Sequence, residues 1–232
     1  MKKFIFITYI IFIICFFRII LYIKDSYDNN RIEKITSDIV IPSKERDYID
    51  FKRLKSINQD TVGYLEVLGV DIKYVVVKGK NNKYYLNHNF YREYSGTGWV
   101  FMDYRNKLDG NDKNIIIYAH NMKDNSMFGK LRNTLYKEWR SIEENLIIKL
   151  YRIDGLHLYK VFSTYIVESE EFYIKTNFNS DIDYSNFLNT IIKRSNYDYH
   201  EYLNTNYNIL TLSTCYKNTT KRVVLHAYEI VN

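Results

Sequence analysis

Two consecutive runs, Asn208-Ile209-Leu210-Thr211-Leu212-Ser213-Thr214-Cys215 and Arg222-Val223-Val224-Leu225-His226-Ala227, decide how this chain folds. Both are rich in β-branched and apolar residues, and the polar stretch 217–221 separates them, so together they predict a β-hairpin. Period-two alternation puts Thr211, Ser213 and Cys215 on one face and Leu210, Leu212 and Thr214 on the other. The thiol thus shares the less apolar face, which favours a groove over a core. The hairpin returns Arg222 beside Cys215, and His226 shares the strand face of Arg222 and Val224, where a structural hydrogen-bonding role is expected.

A third run, Ile115-Ile116-Ile117-Tyr118-Ala119-His120, is another apolar strand with an ionisable residue at its end. A thiol with a pKa of about 8.5 is mostly protonated at neutral pH, and a neighbouring cation or base makes it a usable nucleophile. A histidine can protonate a departing amine, and an arginine, always charged, can stabilise a developing oxyanion. Cys215, His120 and Arg222 are therefore the candidate catalytic residues.

Outward from these runs, Val62–Val67, Ile72–Val77, Gly98–Met102, Asn114–Ala119, Leu146–Leu150, Tyr159–Glu168, Asn208–Thr214 and Val223–Ile230 read as eight short strands between polar or glycine-containing turns. They predict an all-β barrel or sandwich. Apolar residues at helical spacing predict helices over Ser126–Leu135 and Asp183–Arg194, the second capped by Asp181 or Asp183.

The N-terminal part differs in kind. Phe4–Ile23 carries one charge, Arg18, and its length of about 20 residues suits a helix across a hydrocarbon core. Arg18 lies near the end, from where its side chain can snorkel to the interface. The run is long for a signal peptide and no small-residue cleavage pattern follows, so an uncleaved anchor is expected. Lys2 and Lys3 precede it, which places the N-terminus in the cytoplasm and the rest outside. Residues 1–23 are read as tip and anchor, 24–47, with the single proline Pro42, as a stalk, and 48–232 as the catalytic domain. Cys15 falls in the span, so no disulfide pairs it with Cys215.

Composition removes other classes. The net charge of +6 is spread among acidic residues with no basic stripe, which argues against nucleic acid. The five histidines, His88, His157 and His200 among them, show no paired ligand spacing, and no CxxC is present, so a zinc site is not expected. Gly96-Thr97-Gly98 reads as a turn.

Thr211-Leu212-Ser213-Thr214-Cys215 followed by Arg222-Val223-Val224-Leu225-His226-Ala227 resembles the active-site signature of sortases. The likeness extends through Ile57–Leu65, Tyr84–Phe90, Gly96–Asp103 and Tyr118–Met122, and is closest to class B, whose long helical insertion the Asp183–Arg194 helix resembles. Val75 follows Tyr74 where the family often has proline, and the turn from Cys215 to Arg222 is short, with Lys221 the lesser contender for the arginine role. The resemblance implies a closed eight-stranded β-barrel with peripheral helices behind an N-terminal transmembrane helix. It implies that Cys215 attacks a C-terminal sorting motif after its threonine to give a thioester, while His120 shuttles the proton and Arg222 stabilises the oxyanion, chemistry that requires no metal or organic cofactor. Ser213, Thr214, Tyr118 and Asn121 are the candidate substrate-binding residues. The partners implied are a secreted protein bearing the motif and an amine of peptidoglycan or its lipid-linked precursor. Two other classes stay open. A papain-like hydrolase places its cysteine before its histidine, the reverse of the order here; a membrane-tethered peptide-binding module would use the barrel without turnover.

Overall fold

The computed structural model describes residues 2–41, 48–215 and 220–230, with Cys215 described by its backbone alone. Pro42 and residues 216–219 of the expected turn lie outside the described residues.

Helix α1 (Lys2–Ser37) leads into a two-residue ladder of β1 (Val40–Ile41) and β2 (Tyr48–Ile49), then α2 (Phe51–Ile57). The Asp50 side chain caps α2 by accepting from the Arg53 N–H. Strands β3 (Thr61–Val67), β4 (Ile72–Val77), β5 (Phe101–Met102), β6 (Asn114–Tyr118), β7 (Ile147–Arg152), β8 (Gly155–Glu168), β9 (Ile209–Cys215) and β10 (Lys221–Ile230) follow, with α3 (Lys137–Arg140) before β7 and α4 (Asp181–Lys193) before β9. They close a barrel in the order β10-β8-β7-β3-β4-β5-β6-β9, and β9 pairs back onto β10. Closure leaves no open edge in this sheet. All eight predicted segments become barrel strands, although Gly98–Met102 keeps only Phe101–Met102 in the ladder, with one register pair to β4 and two to β6. Residues 98–100 instead run as a buried connection, held where the Trp99 indole donates to the Val75 carbonyl at 2.8 Å.

Alternation sorts the side chains by partner. Leu210, Leu212, Val223, Leu225 and Ala227 join the barrel core with Leu65, Val75, Ile117, Leu150 and Val161. The outward residues are covered as well: Phe162 and Ile209 pack under Tyr184, Phe187, Leu188 and Ile191 of α4, and Tyr165 and Val224 pack under Tyr173. The face carrying Thr211 and Ser213 is consequently buried, not open as the alternation suggested. Alternation assigns residues to faces and says nothing about what the β8–α4 connection lays over them.

Two other expectations change. Helix α4 is capped by Ser180, whose hydroxyl accepts from the Asp183 N–H at 3.2 Å, rather than by Asp181 or Asp183. Asp183 instead engages Lys175 at 2.6 Å. The helix predicted over Ser126–Leu135 shrinks to a 3-10 turn at Leu131–Leu135. Asn125 and Met127 have φ of 66° and 53°, and the Phe128 N–H returns to the His120 carbonyl, so the first half forms a closed loop.

Within α1 only the second half meets the barrel. Asn29, Ile32 and Thr36 recur at helical spacing and are buried, while the residues of the Phe4–Ile23 run are exposed. The stretch expected as a stalk therefore lies along the barrel over Asp25–Ile39. Asp25 accepts from the Gly96 N–H at 2.8 Å, Ser26 donates to Asp124 at 3.1 Å, and the Tyr74 hydroxyl donates to Glu33 at 3.2 Å. The helix is long and apolar enough to cross a membrane.

Candidate active site

Strands β6 and β9 run parallel, with Tyr118 level with Ser213, so both end at the same rim. Beyond β6, the Ala119 N–H donates to the Ser213 carbonyl at 3.4 Å, and the next residue is His120. From that rim β10 runs back antiparallel to β9, with Arg222 opposite Cys215. The end of β6 and the adjacent strands β9 and β10, which lie far from it in sequence, thus deliver the three candidate catalytic positions to one end of the barrel.

His120 is half-buried, and its Nε2 lies 2.8 Å from the Leu86 carbonyl. A carbonyl can only accept, so Nε2 carries a proton. The backbone around it is braced: Asn121 bridges to Met127, whose N–H donates to the Tyr74 hydroxyl at 2.8 Å. Arg222 directs Nη1 to the carbonyls of Thr220 (3.3 Å) and Lys221 (3.1 Å). Lys221 lies opposite Glu168 in register and its ammonium is 3.6 Å from that carboxylate, a solvent-exposed pair. Adjacent strand residues face opposite sides, so Arg222 and Lys221 cannot both turn to the Cys215 position's face.

A groove of about 270 Å³ opens at this rim. His120, Arg222, Ser213, Thr214 and Tyr118 line it, joined by Asn82, Leu86, Glu170, Tyr173 and Ile174. Ser213 is buried and shares a 3.1 Å hydrogen bond with the Tyr173 hydroxyl. Thr214 is buried too, and its hydroxyl has no hydrogen-bond partner among the described residues. The Tyr118 hydroxyl donates to Asp103 at 2.9 Å; burial and then the Asp103 charge push its pKa up, so it stays a neutral donor. Asn121 is outside the residues lining the groove. Glu170 is ion-paired with Arg194, which tempers its charge at the groove wall.

Sequence reasoning did not single out Asn82, Leu86, Tyr173 or Ile174. Leu86 falls within Tyr84–Phe90, a stretch already part of the family resemblance, but Tyr173 and Ile174 come from the β8–α4 connection, where nothing in residue type or spacing announces a binding wall. His226 is fully buried beneath the site and takes the structural role expected of it. The Thr211 hydroxyl donates to Asn114 Oδ1 at 2.7 Å, so it accepts from His226 Nδ1 at 2.8 Å, leaving Nε2 to accept from the Tyr165 hydroxyl at 2.8 Å. Burial, then the Arg194 charge, lowers its pKa to about 3, so the ring is neutral. Among the described residues no three His, Cys, Asp or Glu side chains are grouped to hold a metal.

Comparison with known proteins agrees with this architecture. Residues 65–230 match the sortase domain. Sortase B of Staphylococcus aureus is 35% identical over 212 residues, covering 89% of this chain and 86% of that protein. Sortase B of Listeria monocytogenes is 36% identical over 168 residues, 72% of this chain and 67% of that protein. The crystal structure of sortase B from Bacillus anthracis superposes with a TM-score of 0.80 at 32% identity, covering 90% of this chain and all of that one (100%). A closed eight-stranded barrel whose β6, β9 and β10 ends meet at one groove, matched over most of its length by class B enzymes, leaves one assignment: this chain belongs to the sortase family of cysteine transpeptidases, in class B.

Proposed function

We propose that Cys215, His120 and Arg222 carry the reaction and that the groove beside them binds the sorting motif of a secreted protein. The observation that carries this reading is the convergence of β6, β9 and β10 at one rim, with Arg222 opposite Cys215 and His120 two residues past the end of β6. Cys215 gives up its proton to His120 and attacks the carbonyl carbon of the motif's threonine, and the sulfur forms a thioester as the C–N bond to the next residue breaks. His120 gives a proton to the departing amine and later takes one from the incoming amine, which attacks the thioester and regenerates the thiol. Arg222 binds the carbonyl oxygen as it becomes an oxyanion. Ser213, Thr214 and Tyr118 line the groove and contact the motif, and Asn121 acts from the loop that carries His120. The acceptor is an amine of peptidoglycan or its lipid-linked precursor, in the cell wall of a Gram-positive bacterium.

In this reading residues 1–23 are a cytoplasmic tip and membrane anchor, 24–47 a connecting segment whose Asp25–Ile39 part lies on the barrel, and 48–232 an extracellular catalytic domain. The length and apolar character of the first half of α1 support the anchor.

The test is intact-mass analysis of the full chain in detergent, incubated with a library of sorting-motif peptides. The expected result is a covalent adduct with the mass of a peptide cleaved after threonine, absent from Cys215→Ala. Peptide binding without an adduct from any motif would instead identify a binding module.

A further inference from the structure

Asp103 follows β5 and is completely enclosed (0% exposed), yet it is not among the groove-lining residues. An unpaired carboxylate buried to this extent is strongly disfavoured, so its partners explain why it persists. Its Oδ2 accepts from Asn82 Nδ2 at 2.8 Å, the Tyr118 hydroxyl at 2.9 Å and Arg105 Nη2 at 2.7 Å. Its Oδ1 accepts from Arg105 Nε at 2.8 Å and the Arg105 N–H at 2.9 Å. That set exhausts the accepting capacity of a carboxylate, about four lone-pair sites. Arg105 Nη2 also donates to the Ile174 carbonyl at 2.8 Å.

These partners belong to separate parts of the chain. Asn82 is in the β4–β5 connection, Tyr118 ends β6, and Ile174 is in the 3-10 turn Phe172–Ile174 between β8 and α4. All three line the groove. Burial alone would push the Asp103 carboxyl up, but the Arg105, Asn82 and Tyr118 hydrogen bonds outweigh it and hold the group below the ordinary carboxylate range. It is therefore ionised at neutral pH.

We infer that Asp103 is a positioning residue that fixes the width of the substrate groove, holding Asn82 and Tyr118 directly and Ile174 through Arg105 in one hydrogen-bonded frame. This rests on the reading of the groove as the sorting-peptide site. Asp103 touches neither Cys215, His120 nor Arg222 through any of these bonds, so its loss should act on peptide binding before chemistry.

The experiment compares wild type, Asp103→Asn and Arg105→Lys, each as the full chain in detergent, using the peptide that wild type captures. Steady-state kinetics give KM and kcat, and iodoacetamide alkylation of Cys215 reports the thiol without using the groove. Asp103→Asn is expected to raise KM about tenfold or more, the scale of one lost charged hydrogen bond, with kcat within about threefold and an unchanged alkylation rate. Arg105→Lys keeps the charge but loses the planar fork, and should raise KM about threefold to tenfold. If Asp103→Asn fails to fold, Arg105→Lys decides alone. KM within about twofold of wild type in the folded variants overturns the inference, as does a parallel fall of kcat and alkylation rate. A wild type that captures no peptide removes the peptide-site reading itself, and this inference with it.

Discussion

Arg222 and Lys221 are neighbours with the same charge, and their strand positions give them different work. Lys221 is engaged with Glu168 in an exposed pair of the kind that contributes little to stability. Arg222 lines the groove opposite the Cys215 position. Arg222→Ala is expected to lower kcat by about 10²–10³, the usual consequence of removing an oxyanion donor, while Lys221→Ala should stay within about twofold. Steady-state turnover of a quenched fluorescent sorting peptide measures both, and a larger loss in Lys221→Ala would reassign the role. His120→Gln keeps a donor for the Leu86 carbonyl but cannot titrate. It is expected to cost about 10²–10⁴ in kcat/KM in the same assay. The three candidate positions were legible because each lies at the end of an apolar run, where an ionisable side chain has no reason to be part of the core. The groove walls at Tyr173 and Ile174 were not, since ordinary residues become a binding surface only through where their backbone is laid.

At the scale of elements, β10 is tied to β8 and β9 by a chain of buried hydrogen bonds through His226. The folded ring is neutral with a pKa near 3, whereas an unfolded histidine titrates near 6.5. The unfolded chain therefore takes up a proton first as pH falls. The stabilising effect of the neutral ring is fully present above about pH 6.5 and is lost progressively from there toward pH 3, by about 2 kcal/mol at pH 5. Urea unfolding of wild type and His226→Gln at pH 8 and pH 5 tests this: the variant should lose less stability between the two pH values than wild type, and equal slopes would refute it. The strands themselves were legible from β-branched runs between turns. The predicted helix over Ser126–Leu135 was not reliable, because apolar residues at a spacing of four also suit a loop that buries Met127 and Phe128. Here the Met127 N–H bond to Tyr74, 53 residues away, competes with local helix formation.

At the scale of the molecule, the two halves of one helix differ in what they meet. The Phe4–Ile23 half of α1 is exposed and apolar, and the following half seats Ile32 at 1% exposure against the barrel, with Asn29 donating to Thr97 beside it. Ile32→Ala should cost about 2–5 kcal/mol if that seat is part of the folded domain, read as a lower Tm in detergent; an unchanged Tm would mean that the seat is not used. Ser26 reaches Asp124 and Glu33 reaches Tyr74, which in turn holds Met127. The loop that begins at His120 is therefore braced by the second half of α1.

The sequence by itself determined the strand inventory, the apolar N-terminal helix, and which thiol, histidine and arginine are candidates for the site. Those features are local, since periodicity, β-branching and an ionisable residue at the end of a run are properties of consecutive residues. Tertiary structure alone decided that β6 runs parallel to β9 and that β8 and α4 cover the outer face of the cysteine strand. It also decided that Asp103 sits where three groove walls meet. Each of these depends on contacts between residues far apart in the chain, chosen by which faces must be buried together and which buried polar groups must find partners, and no pattern of neighbouring residues encodes that choice.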